Sequence, residues 1–150
     1  MSVVLTRDAD ELLLNNRGWA TLLRLAWDYG WRPRGTLPPP HWTTPELRLK
    51  AAEWNGADYV TCRGQIVTAP DAQRLAEALR AVADDLSPED PDPAHDEQLG
   101  LRRVPMPGYP PVAFLSDARP MSPFEFFGGS NRAGFHRFVS FCQGGAFAIW

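Results

Sequence analysis

Three stretches of this 150-residue chain gather residue types that could do chemistry. The first is acidic: Asp84, Asp85, Glu89, Asp90, Asp92, Asp96 and Glu97 follow one another with no Lys or Arg between them. Clustered carboxylates speed association with an oppositely charged surface. Asp84, Asp85, Glu89, Asp90 and Asp92 are therefore candidate contacts to a basic partner protein, with a solvated linker as the structural alternative. A calcium loop is a poor fit, because it needs a central Gly where this run has prolines and no Gly. The second stretch, Gly128-Gly129-Ser130-Asn131-Arg132, stands at an expected helix start. Backbone N–H groups of Gly128, Gly129 and Ser130 could cradle an anion there, helped by Arg132. The P-loop pattern is absent, and the same residues also make an ordinary loop and cap. The third is aromatic: Trp42 and Tyr109 lie in proline-rich connections, where such side chains are expected at the surface and suit a binding hot spot.

Other chemistry finds no support. His41, His95 and His136 fall in a proline loop, an acidic segment and a helix, each without a partner at a justified spacing. His136 and Cys142 are six residues apart on a helix, about 600° of rotation, so they point away from each other. Cys62 and Cys142 make neither a CxxC pair nor a disulfide framework and are expected as ordinary buried side chains. No paired carboxylates, Gly-x-Ser-x-Gly elbow or dinucleotide loop is present, so neither a cofactor nor a metal is expected.

Charge separates the remaining classes. The net charge is −3, with nine acidic and three basic residues in 61–100 against two acidic and five basic in 101–150. A nucleic-acid binder would carry a coherent basic stripe instead. The N-terminal segment has no basic n-region or apolar h-region, and no apolar run approaches the roughly 18 residues of a membrane span. A cytoplasmic protein, binding neither nucleic acid nor membrane, is expected.

The elements that must position these groups follow from periodicity. Residues 10–15 fit a short strand or a first helical turn. Trp19, Leu22, Leu23, Ala26 and Trp27 fall at i, i+3, i+4, i+7 and i+8 and predict a helix over 17–29 with Trp19 and Trp27 in the core. Asn15 or Asn16 can cap its start, and Gly30 can end it in the left-handed region with Trp31 following. Residues 32–42, with Pro38-Pro39-Pro40, predict a stiff surface connection. Thr44-Pro45-Glu46 opens a short helix whose face is Leu47, Ala51 and Trp54. Residues 58–67 predict a hairpin turning at Arg63-Gly64.

Thr68 can cap the clearest helix, 69–86, with Ala72, Leu75, Ala76, Leu79, Val82, Ala83 and Leu86 on one stripe and Asp71 in the first turn, where a reciprocal capping interaction or the helix dipole favours an acid. Residues 87–98 hold no large apolar side chain and three prolines and predict a mobile acidic loop inside one domain spanning 1–150. From 99 to 127 the chain reads as extended, with 112–115 the best strand candidate. Phe135, Phe138, Val139 and Cys142 predict a last helix, and residues 146–150 a terminal strand. The sum is an α-rich α+β fold: three to four helices packed with a small antiparallel sheet made of the 58–67 hairpin and the 146–150 strand.

Three blocks, WATLLRLAWDYGWRPRGT (19–36), GQIVTAPDAQRLAEAL (64–79) and FVSFCQGGAFAIW (138–150), carry a resemblance. The chain resembles small bacterial cytosolic proteins that share an early GWxPxGT-like turn, a VTxxDAxxLAxAL helix and a terminal FCxxGGFxIW-like element. The resemblance covers about a third of the chain, mostly caps, turns and core faces, and implies no activity. With no catalytic constellation, the expected function is a non-catalytic protein-interaction domain, of which a toxin-neutralising immunity protein with a basic toxin as partner is one form. The alternative is a small-ligand or anion-binding protein, with or without enzymatic activity, built on 128–132.

Overall fold

Residues 2–91 and 121–150 are described in the computed structural model. Among them five α-helices and a five-stranded antiparallel sheet make a helix-rich α+β fold. The chain divides into two compact units, residues 1–85 with 134–150, and residues 86–133.

The sheet of the larger unit begins with a local hairpin. Strands β1 (Ser2–Arg7) and β2 (Asp10–Asn15) pair in register from Ser2↔Asn15 to Arg7↔Asp10. Asp8 turns the chain at φ +51°, a conformation Asp tolerates better than most residues. The choice left open at 10–15 is settled by this partner, because pairing puts Val3, Leu5 and Leu12 into the core. Helix α1 (Asn16–Asp28) follows at once, its first turn closed by Asn15 Oδ1 accepting from the Gly18 N–H at 2.6 Å. Asn15→Ala is expected to cost about 1 kcal/mol. A urea titration reads this directly, and an unchanged midpoint would mean that water serves the helix end equally well.

The proline connection is not only a spacer. It contributes β3 (Thr36–Leu37), which pairs with β4 (Gln65–Val67) through Thr36↔Val67 and Leu37↔Ile66. Helix α2 (Pro45–Ala52) starts on a Thr44 cap, and its expected face of Leu47, Ala51 and Trp54 is half-buried. Trp54 Nε1 donates to both Thr36 O and Thr36 Oγ1 at 3.1 Å.

The 58–67 hairpin is corrected, since only its return arm is a strand. Asp58 Oδ1 accepts the N–H groups of Val60 and Thr61, both at 3.0 Å, and curls the first arm into a turn. Burial works against ionising Asp58, but the Thr61 hydroxyl and the Thr61 and Val60 N–H groups outweigh it and hold the carboxyl below its usual range. Cys62 then sits at φ +44°, outside any strand conformation.

Helix α3 (Ala69–Ala83) ends one turn short of the expected 86 and starts at Thr68 without the expected side-chain cap, and its Leu75, Ala76, Leu79 and Val82 are fully buried. The last strand, β5 (Phe147–Ile149), enters the middle of the sheet, whose order is β2-β1-β5-β4-β3. Val4 and Trp150 exchange both backbone bonds at 2.8 Å, and Gly64 N–H donates to Ile149 O at 2.7 Å.

In the smaller unit, α4 (Pro123–Phe126) replaces part of the expected extended stretch. Its start is a reciprocal capping box: Ser122 Oγ accepts from Glu125 N–H at 3.3 Å, and Glu125 Oε2 from Ser122 N–H at 3.0 Å. The 112–115 strand candidate lies outside the described residues. Helix α5 (Arg132–Gln143) buries Phe135, Phe138, Val139, Phe141 and Cys142, with Phe138 edge-on to Trp19 at 5.8 Å. Gly145, at φ +114°, turns the chain from α5 into β5.

Candidate functional site

The end of α1 sets the geometry of the most built region. Trp31 N–H reaches back to Ala26 O at 2.9 Å and Gly30 N–H to Trp27 O at 3.1 Å, with Gly30 at φ +97°. This is a Schellman closure, and it folds Trp31 inward to 5% exposure. The Trp31 ring meets Tyr59 edge-on at 4.9 Å. Both side chains then donate to one carboxyl oxygen, Asp71 Oδ2, Tyr59 through a short O–H bond and Trp31 Nε1 at 3.3 Å. The other oxygen, Oδ1, accepts from Arg74 Nε at 3.2 Å and from Arg74 NH2 at 3.1 Å. Gly35 N–H donates to the Tyr59 hydroxyl at 3.2 Å, and a Cβ at Gly35 would collide with the Asp71 side chain.

Asp71 is fully buried. Expected as a reciprocal capping or helix-dipole partner, it is instead the hub where the α1 turn, the loop at 59 and the first turn of α3 meet. Both of its oxygens are taken by the protein's own donors, so it offers no position to a substrate. Burial raises the Tyr59 phenol far above its ordinary value, and the hydrogen bond to Asp71 and the Asp71 charge add to the rise.

Two depressions flank this hub. A cleft of about 690 Å³ is lined by Tyr29, Trp31, Arg32, Arg34, Arg74 and Glu77, with Ala78 and Ala81 of α3. A smaller groove of about 270 Å³ is lined by Leu23, Trp27, Trp31, Pro33, Tyr59 and Val60, with Arg24 its charged member. Trp27, expected in the core, is 48% exposed on this groove, and the Arg32 guanidinium lies 4.0 Å over its ring. Arg32 NH1 also donates to Trp27 O at 2.9 Å and Trp31 O at 2.8 Å, which fixes the stack. Sequence reasoning passed over Arg24, Arg32, Arg34 and Arg74. The Arg-Pro-Arg run straight after a helix-ending Gly was the available signal.

The acidic candidates are placed as follows. Asp84 and Glu89 are exposed. Asp85 accepts the Tyr29 hydroxyl, and this bond holds the Tyr29 phenol above its ordinary value. Asp90 Oδ1 accepts the Ser130 N–H at 2.6 Å. That bond, reinforced by the Ser130 hydroxyl, holds the Asp90 carboxyl below its usual range. Asp92 and Tyr109 lie outside the described residues. Trp42 is half-buried and edge-on to Trp54 at 5.8 Å, a paired ring more than a free one.

The 128–132 loop has its donors engaged within its own unit. Gly128 N–H goes to Glu125 O at 3.0 Å, Gly129 N–H to Ser87 O at 3.0 Å and Ser130 N–H to Asp90. The anion at this loop is thus the chain's own carboxylate, and Arg132 beside it is half-buried. Of the histidines, His41 stacks on Trp150 at 5.6 Å and His136 is exposed. Cys142 is fully buried, whereas Cys62 is half-buried, a correction to the expectation that both are core. Among the described residues no three His, Cys, Asp or Glu side chains gather as a metal site, and no helix is long and apolar enough to cross a membrane.

No protein-family model matches the chain, and neither the curated proteins nor the solved structures yield a significant match.

Proposed function

We propose that this chain is a non-catalytic protein-interaction domain that docks a partner protein in the groove between Trp27 and Val60. The observation that carries this is the exposure of two large apolar side chains on one apolar groove, Trp27 at 48% and Val60 at 72%. Trp and Arg are the residue types most enriched at binding hot spots, and here they are held together before any partner arrives. At about 270 Å³ the groove falls below the roughly 300–1,000 Å³ of small-molecule sites and suits one large side chain of a partner. The charge beside it is positive, from Arg24 and Arg32, so the occupant is an apolar side chain flanked by carboxylates.

This moves the contact away from the acidic run and replaces a basic partner with an acidic one. Support for a basic partner is weaker, because Asp85 and Asp90 already serve groups of this chain. Toxin immunity is one form of the proposed function, and the cytoplasmic location expected from the sequence goes with it.

Co-expression with the product of each adjoining gene is the test. One product is expected to co-purify with the wild type and to bind about 30-fold more weakly to Trp27→Ala or Val60→Asp, the effect of removing a hot spot of about 2 kcal/mol. Both positions are exposed, so both variants should melt within a few degrees of the wild type. Equal binding by wild type and variants removes the groove as the docking site. No partner among the products removes the adjoining-gene version, and a partner that is harmless when expressed alone removes the immunity version.

A further inference from the structure

We propose that the cleft between the end of α1 and α3 binds a phosphorylated small molecule through Arg32, Arg34 and Arg74. The inference goes beyond protein docking in the neighbouring groove, with which the cleft shares Trp31 and Arg32, and its test rests on Arg34, which the groove does not use. It starts from three arginines among the residues that line one cleft of about 690 Å³. Two of them are already fixed. Arg74 is held on Asp71 through Nε and NH2, and Arg32 is held by two carbonyl oxygens through NH1 and by the face of Trp27. A guanidinium has five N–H donors, so Arg32 keeps Nε and NH2 and Arg74 keeps NH1 for an incoming group. These contacts order both side chains in part before a ligand binds, which removes part of the entropy cost of association.

Arg34 is exposed and forms no hydrogen bond or ion pair with the described residues. An arginine whose side chain serves none of the described residues, beside two arginines held in place, is the member that can close on a ligand. Among the lining residues Arg32, Arg34 and Arg74 stand against Glu77 alone; of the carboxylates behind them Asp71 is engaged by Arg74 and Asp85 by the Tyr29 hydroxyl, so the lining keeps a net positive charge.

The chemistry of the ligand follows from this donor set. A carboxylate offers two oxygens in one plane and satisfies a single fork. A phosphoryl group offers three oxygens in different directions and suits several forks at once. The volume is that of a small-molecule site, roughly 300–1,000 Å³, and exceeds what a bare phosphate would fill. Ala78 and Ala81 of α3 and the rim of Trp31 provide apolar surface for the organic part. The class is therefore a phosphomonoester or diphosphate of a small organic molecule.

Calorimetric titration of the full chain tests this with pyrophosphate, glucose 6-phosphate, adenosine 5′-diphosphate and citrate, at one ionic strength near 0.15 M so that screening is constant. At least one of the two organic phosphates is expected to bind about tenfold or more tightly than citrate and more tightly than pyrophosphate. Arg34→Ala should weaken that binding about tenfold, and Arg34→Lys less, because lysine keeps the charge and loses the fork. The Arg34 side chain has no hydrogen bond or ion pair with the described residues to lose, so the unliganded melting temperature of both variants should match the wild type. Arg137→Ala, exposed on α5, should bind like the wild type. Absence of binding by all three phosphates, citrate binding as well as they do, or unchanged binding by Arg34→Ala would each overturn the proposal. Binding to vesicles containing phosphatidic acid without binding of the soluble organic phosphates would also overturn it, in favour of a lipid headgroup.

Discussion

Asp71→Ala is expected to lower the stability of the protein by about 3–5 kcal/mol, measured as the loss in unfolding free energy by urea at pH 7. The size follows from what the carboxylate leaves behind. Tyr59 O–H and Trp31 Nε1–H both point at Asp71 Oδ2, and neither has water to turn to, since Tyr59 is 1% and Trp31 5% exposed. Each orphaned buried donor costs about 1–3 kcal/mol. Arg74→Ala removes the ion-pair partner of the same carboxylate, yet its effect should stay near 0–1 kcal/mol, because the Arg74 side chain is 58% exposed and water takes its place.

The ranking of the two variants is the sharper test. If Asp71→Ala cost no more than Arg74→Ala, the hub would be hydrated and its hydrogen bonds would contribute little. A domain of this size holds about 5–15 kcal/mol in all, so loss of Asp71 would leave it close to unfolding. Tyr59→Phe removes one of the two orphaned donors. Its cost and that of Asp71→Ala should therefore sum to more than the cost of the double variant.

What the sequence made legible here is whatever a local pattern decides. Trp19, Phe135 and Phe138 were placed in the core by helical spacing, and all three are at most 3% exposed. The same pattern misplaced Trp27. At about 100° per residue, Trp27 lies 140° around α1 from Leu22, whereas Leu25 and Ala26 lie within 60° of it. The buried stripe is Trp19, Leu22, Leu25 and Ala26, and including Leu25 in the spacing would have turned Trp27 outward. The groove became visible only once that rotation was known.

Long-range partners explain the rest. Tyr59-Val60-Thr61-Cys62 is β-prone, but Asp58 ties Val60 and Thr61 into a turn while Tyr59 turns inward to Asp71. The strand that follows finds its partners at 36–37 and 147–149, pairings that no local window contains. Asp71 carried a correct local reason to exist, as an acid in the first turn of a helix. Its burial was hidden because Trp31 and Tyr59 arrive from other segments. The arginine cleft was hidden for the same reason: Arg32 and Arg34 come from the turn after α1, and Arg74 from α3. The 128–132 loop matched the local pattern of an anion cradle, and the anion turned out to be Asp90.

Two buried acids make alkaline pH a stress on this fold. Burial raises the Cys142 thiol well above its ordinary value of 9.0, with the Arg7 charge offsetting it only in part. Burial also raises the Tyr59 phenol above its ordinary 10.0, with the Asp71 hydrogen bond and charge adding to it. The folded protein therefore keeps both protons where the unfolded chain has begun to release them. Below about pH 9 both states hold the protons and neither group alters stability. Above that, unfolding releases the thiol proton, and above about pH 10 the phenol proton as well. Each released proton removes about 1.4 kcal/mol per pH unit until the folded-state value is reached. The unfolding free energy should be flat from pH 7 to about 8.5, fall above 9, and fall about twice as steeply above 10. Cys62 and Tyr29 shift in the same direction, but half-burial of the one and the hydrogen bond to an exposed Asp85 of the other leave them minor contributors. Cys142→Ala should remove the onset near pH 9, and Tyr59→Phe the steepening above 10, each at some cost to stability at neutral pH. A steepening above pH 10 that survives Tyr59→Phe would show that the phenol ionises in place and that the hub admits water.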